Sequence, residues 1–241
     1  MPSIRLLVLL LLLVLVKNSY AQSAKPGTWG IATVILPGNK EQRWGGYAEL
    51  QGRTDQTYFR KFFYYEVKGG VSYNFDDRAY VLLGTGRYTT YDYRDLGEGP
   101  QTTETRFWEQ FTSVQFVGRV KFEHRYRVEQ RWLNTGYRNR FRYRINFLVP
   151  LNHAAFVPKT AFVSVFDEVF FTDKAPNFER NRISAALGYQ FNKSLNLQAG
   201  WINQFNKTNV ATNDKNNMLL MLQYVIQRKK GNATNLPSIK D

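Results

Sequence analysis

Lys121, Glu123, Arg125, Arg127, Glu129 and Arg131 fall at alternate positions of the chain. After Leu133-Asn134-Thr135-Gly136 the alternation restarts with Arg138, Arg140, Arg142 and Arg144. A guanidinium is a planar fork that stays charged and grips carboxylates or phosphates through paired hydrogen bonds. Two kinds of chemistry follow. The arginines can pair with carboxylates into a rigid ionic ladder. Or their surplus charge can hold or guide an anion, such as a phosphate, a carboxylate or a lipid headgroup.

Other chemistry has less to work with. There is no cysteine, so disulfides and thiolate metal sites are excluded. The two histidines, His124 and His153, are scattered and make a histidine metal site improbable. A lipid hydrolase would need a nucleophile beside His124. Register about Gly118 puts Thr112 opposite it, near mid-strand and away from water, with no serine elbow. Carboxylates inside an arginine run are better read as counter-ions than as general acids. No enzyme, metal or cofactor is expected.

The element that carries the arginines is a β-hairpin. Strand side chains alternate between faces. The positions between the charges are Val120, Phe122, His124, Tyr126, Val128, Gln130 and Trp132, then Tyr137, Asn139, Phe141, Tyr143, Ile145 and Phe147. With Trp132 facing Tyr137 across the short loop, Glu129 faces Arg140, Arg127 faces Arg142, Arg125 faces Arg144 and Arg131 faces Arg138. Like charges placed opposite one another destabilise a strand pair. Three of these four pairs are Arg–Arg, so other strands, water or a bound anion must compensate.

Residues 1–21 have the pattern of a secretory signal peptide: Arg5, an apolar run from Leu6 to Val16, and Ser19-Tyr20-Ala21 before Gln22. The run is too short to span a bilayer as a helix. The whole chain has 33 basic and 19 acidic residues and a net charge of +14; removing Arg5 and Lys17 with the signal leaves +12. Export argues against a nucleic-acid partner, as does the placement of the arginines on strand faces. An exported chain of 241 residues without disulfides fits a bacterial envelope.

Aromatics make up 16% of the chain and alternate with polar residues. Ten strands are expected from Trp44 onward, with turns near 76–78, 118 and 192–194 and longer connections at 94–103, 172–178 and 206–216. The exception is the central hairpin, whose loop is as short as a turn. Residues 22–43 form an N-terminal extension in which Trp29–Leu36 is a plug, a partial strand, or half of a twelve-stranded variant. Residues 44–228 form the barrel, and 229–241 a polar tail. Alternation alone does not separate a membrane barrel from a soluble, lipocalin-like carrier. Strands of about 11–16 residues exceed the roughly 9–11 that cross a bilayer. Aromatics at strand ends (Trp132, Tyr137, Phe75, Tyr93) suit an interfacial girdle. The export signal supplies the route. The expectation is an all-β, antiparallel up-and-down transmembrane barrel in the outer membrane of a Gram-negative bacterium.

The Arg125-Tyr126-Arg127-Val128-Glu129-Gln130-Arg131-Trp132 run and the following Arg138-x-Arg140-Phe141-Arg142-Tyr143-Arg144 resemble the Bacteroidota outer-membrane family catalogued as domain of unknown function 2490. Glu49-Leu50-Gln51-Gly52-Arg53, Asp167-Glu168 and Asn181-Arg182 agree with it. The resemblance covers roughly residues 29–226. It implies an outer-membrane barrel without an assigned activity. Its partners would be outer-membrane lipids and, during insertion, the barrel-assembly machinery.

In a membrane barrel the charged parity points inward. The expected interior set is Glu49, Arg53, Glu66, Lys68, Glu109, Lys121, Glu123, Arg125, Arg127, Glu129, Arg131, Arg138, Arg140, Arg142, Arg144, Glu168, Arg180 and Arg182. It supplies a narrow channel, an anion site or a structural plug.

Overall fold

The computed structural model describes residues 26–228. The proposed signal peptide and the polar tail at 229–241 lie outside them. Eleven strands run in chain order: β1 (Gly27–Leu36), β2 (Trp44–Gln56), β3 (Arg60–Asn74), β4 (Ala79–Tyr91), β5 (Pro100–Val117), β6 (Val120–Leu133), β7 (Gly136–Pro150), β8 (Thr160–Thr172), β9 (Phe178–Gln190), β10 (Leu195–Lys207) and β11 (Thr212–Val225). Each pairs with its chain neighbour antiparallel, and β1 pairs with β11 in parallel to close the barrel. An odd number of up-and-down strands can close only through one parallel seam.

Gly27–Leu36 is therefore neither a plug nor half of a missing pair. It is a full wall strand, in register with β2 from Thr28↔Thr54 to Leu36↔Gly46. Trp29, Thr33 and Ile35 point inward and are buried. With a mostly apolar inner face the strand lacks the polar–apolar alternation that marks the others. The seam is clasped at both ends. Lys215 of β11 bonds Asp55 of β2 across the start of β1. Beyond β11, Arg228 donates to Pro37 O at 2.7 Å and to Gln42 and Trp44 O.

The connections differ from expectation as well. At the end where β1 finishes they are 37–43, 75–78, 118–119, 151–159 and 191–194; at the other end they are 57–59, 92–99, 134–135, 173–177 and 208–211. Each end has both short turns and longer loops, so the expected contrast of short turns and long loops is absent. The polar stretch 206–216 is mostly strand, because Asn203, Asn206, Asn213, Asp214 and Asn216 pair with one another across β10 and β11. Polar side chains here extend a ladder rather than break it. In the 92–99 loop, hydrogen bonds from Arg94 hold the Asp92 carboxyl down at about 2.

The central hairpin has the expected register throughout, from Lys121↔Leu148 to Leu133↔Gly136. At the preceding turn Gly118 sits at φ +58° and Arg119 joins it, so the register is one residue off the expectation. His124 faces Ser113, not Thr112, which is buried in the interior. The same parity places Glu109 outside, where it accepts from Gln130 at 3.2 Å. Trp108, on the parity opposite the Glu109 expected inside, points inward and is fully buried.

Trp108 fits because its cross-strand neighbour is Gly84. A Cβ on Gly84 would lie 2.3 Å from the indole ring. Gly84→Ala is expected to destabilise the barrel by about 1–3 kcal/mol through overpacking. Chemical unfolding followed by tryptophan fluorescence checks this, and adding Trp108→Leu should recover part of the loss.

Candidate functional site

Even-numbered residues of β8, β9 and β10 and odd-numbered residues of β1, β2, β6 and β11 differ in parity yet share one destination, the barrel axis. The interior so formed has three zones. The end where β1 finishes is filled by apolar side chains: Ile35, Tyr47, Tyr80, Leu82 and Trp108 on one side, and Leu148, Phe156 and Phe162 on the other. Phe156 comes from the 151–159 loop, which folds back over the end and sets its ring edge-on to Phe162, centroids 5.6 Å apart.

The middle zone is ionic. Glu129 is its hub, with no exposed surface. Arg142 donates to it at 2.5 Å, and Arg127, Arg140 and Arg106 stand at 3.5, 3.5 and 3.9 Å. Glu168 receives Arg142 at 2.8 Å and Arg125, with Arg182 at 3.8 Å. Glu123 lies 3.5 Å from Lys121 and 3.8 Å from Arg144. Lys68 donates to Glu66 at 2.5 Å and reaches Glu49 at 2.9 Å. The Arg–Arg pairs of the hairpin are thus compensated mainly from neighbouring strands. Arg125 and Arg142 share Glu168 of β8. Arg127 donates twice to Gln110 of β5, at 2.7 and 2.9 Å.

The Arg131–Arg138 pair is compensated by two carboxylates that sequence reading passed over. Glu104 of β5 accepts from Arg106 at 2.7 Å and from Arg131. Glu179 accepts from Arg140 at 2.8 Å and stands 3.5 Å from Arg131 and 3.8 Å from Arg138. Glu104 precedes the expected strand start. Glu179 has the wrong parity for an inward residue. The β8–β9 register shifts between Phe170 and Phe171, so Glu179 is the extra residue of a bulge, which re-aims it. Arg106 was missed with the β5 parity; its signal was the alternation of Glu104, Arg106, Gln110 and Thr112.

All thirteen arginines and glutamates expected to form a lumen lattice face the interior: Arg53, Glu66, Glu123, Arg125, Arg127, Glu129, Arg131, Arg138, Arg140, Arg142, Arg144, Glu168 and Arg182. Arg138 is the most open, at the mouth. Rings stack among them. Arg53 lies 3.4 Å over Trp29 and 4.2 Å from Tyr64, and Arg106 lies 3.6 Å over Tyr88. Such contacts let a desolvated guanidinium keep a favourable field on its face.

The third zone is a vestibule of about 370 Å³ at the end where β1 begins. Nine basic residues line it against three acidic ones, Glu66, Glu104 and Glu179. The surplus charge of the interior therefore collects at one mouth. His124 is remote from it, on the outer face, where Nδ1 meets Tyr143 Oη at 2.9 Å. Among the described residues, no three His, Cys, Asp or Glu side chains cluster to hold a metal.

Residues 26–217 match a family model described as "Protein of unknown function (DUF2490)". No curated protein matches the chain, and no solved structure does.

Proposed function

The chain belongs to the DUF2490 family, described only as proteins of unknown function, and we propose that it is an outer-membrane β-barrel of a Gram-negative envelope, closed to flow and acting without catalysis. The observation that carries this reading is the inverted distribution of polarity. Charges fill the inside, while Leu83, Val71, Val67 and Leu187 lie more than half exposed on the outside. In water such an apolar girdle far exceeds the few hundred Å² that a soluble monomer tolerates. In lipid it is the expected surface, and closure leaves no unpaired backbone edge.

Dimensions support the same reading. Thirteen residues of β8 at about 3.3 Å each, tilted by about 40°, rise about 30 Å, against an apolar band of about 25 Å. Exposed aromatics stand near both rims: Trp44 and Phe75 at one, packed on the half-buried Tyr73, and Trp132 and Tyr137 at the other. A soluble carrier would keep an apolar cavity inside; this interior holds a salt-bridge network and an apolar stopper. The same filling disfavours a channel.

Purified protein reconstituted in planar phospholipid bilayers is expected to give no unitary conductance steps, and membranes carrying it to retain it through alkaline carbonate washing. Steady single-channel steps would overturn the closed barrel. Release into the carbonate supernatant would overturn the membrane reading.

A further inference from the structure

In the vestibule the basic side chains outnumber the acidic ones by nine to three, around open space rather than packed side chains. Arg53 Nε, Arg138 Nε and Tyr88 Oη are buried and have no hydrogen-bond partner; Arg131 Nη1 and Arg140 Nη1 make no hydrogen bond either, and stand 3.5 Å from the Glu179 and Glu129 carboxylates. All five side chains line the same cavity. They come from β2, β4, β6 and β7, which span about half of the barrel wall, so they converge on the space from several directions.

All five atoms are donors. A buried donor left unpaired is unfavourable, and a charged one more so. What would satisfy them must bring acceptor oxygens pointing in several directions. A planar carboxylate presents two coplanar oxygens; a tetrahedral oxyanion presents three or four that diverge. The cavity lies within the range of about 300–1,000 Å³ usual for small-molecule sites, enough for a phosphate group on a sugar-sized body. Its apolar lining is slight, chiefly Phe63 and Leu133, so it offers no room for an acyl chain.

We propose that the vestibule binds a phosphomonoester or diphosphate group entering along the barrel axis, held by Arg53, Arg131, Arg138, Arg140 and the hydroxyl of Tyr88. Short rotations of the guanidinium ends turn the unpaired N–H groups onto the phosphate oxygens, while Glu104 and Glu179 keep Arg131 and Arg140 in place. Two sources carry this chemistry: a soluble phosphorylated molecule, and the headgroup of a phosphate-bearing lipid. The proposal depends on the barrel interior and not on the membrane reading, because the vestibule exists whatever surrounds the outer wall.

The test is titration calorimetry of the full barrel in a non-ionic detergent, with inorganic pyrophosphate and glucose 6-phosphate as probes at fixed ionic strength. Saturable one-site binding is expected. Arg138→Gln, at the mouth with its side chain 32% exposed, should weaken it at least tenfold, and Tyr88→Phe about threefold, with unfolding temperatures near the parent's. Lys40→Gln, which removes one charge at the opposite end, should leave it unchanged. Absence of binding to the parent protein overturns the proposal, and so does equal affinity across parent, Arg138→Gln and Tyr88→Phe. Repeating the titration in phosphatidylcholine nanodiscs with and without phosphatidic acid separates the sources. Loss of pyrophosphate binding in the presence of phosphatidic acid assigns the site to a headgroup; unchanged binding assigns it to a soluble ligand.

Discussion

Glu129→Gln is expected to lower barrel stability by about 3–5 kcal/mol, the range for removing one partner from a buried ion pair. Glu129 is wholly buried and has Arg106, Arg127, Arg140 and Arg142 around it. Glutamine keeps the volume and one acceptor oxygen, so the change isolates the charge. Four guanidiniums would then repel one another across a medium that screens poorly. Arg127 and Arg142 are also direct cross-strand partners, so the repulsion acts on the pairing that defines the hairpin. The measurement is urea-driven unfolding in the presence of lipid vesicles. A second substitution gives the mechanism: Arg142→Gln added to Glu129→Gln should recover more than it costs alone, because it relieves the uncompensated charge. Additive effects would show that Glu129 is not the hub. The exposed pair Lys40–Asp77, 3.3 Å apart, is the contrast; breaking it should move stability by less than about 1 kcal/mol.

The hub is central to why parts of this molecule are readable from sequence and others are not. The hairpin from Val120 to Pro150 is legible residue by residue. Its two-residue turn fixes the register, and its faces are chemically opposite, so a slip by one would turn every arginine outward. Where the faces are less distinct, local pattern fails. In β5, Trp108 is apolar yet inward, and Glu109 is charged yet outward. What decides is Gly84 on the neighbouring strand, which opens a slot only an inward indole can use. In β1 both faces are apolar, and only closure against β11 turns the segment into wall. Glu179 depends on a bulge, set by pairing with β8 and not by its own neighbours in the chain. The rule is physical: period-two reading works for a strand whose two faces meet different solvents. It does not see one whose orientation is imposed across the sheet.

The outer face gives the test in which the competing readings predict opposite signs. Leu187, three residues before the end of β9, is 66% exposed. Leu187→Arg adds a charge on the wall without touching the interior, since its neighbours across the sheet, Val163 and Ala199, also lie on the outer parity. If the wall faces lipid, an arginine inside the apolar band is costly, up to about 2–4 kcal/mol at the bilayer midplane. The variant should then insert poorly into phospholipid vesicles and lose heat-resistant mobility in gels. If the wall faces water, the same change removes an exposed leucine, and stability should shift by less than about 0.5 kcal/mol while solubility improves. Phe191→Arg, beyond the end of β9 in the 191–194 turn, provides the depth control. It should cost far less than Leu187→Arg in lipid, because a long side chain there reaches the interface. Equal, small effects at both positions would mean that no hydrocarbon layer surrounds the barrel, and the inverted polarity would need a protein partner to cover it.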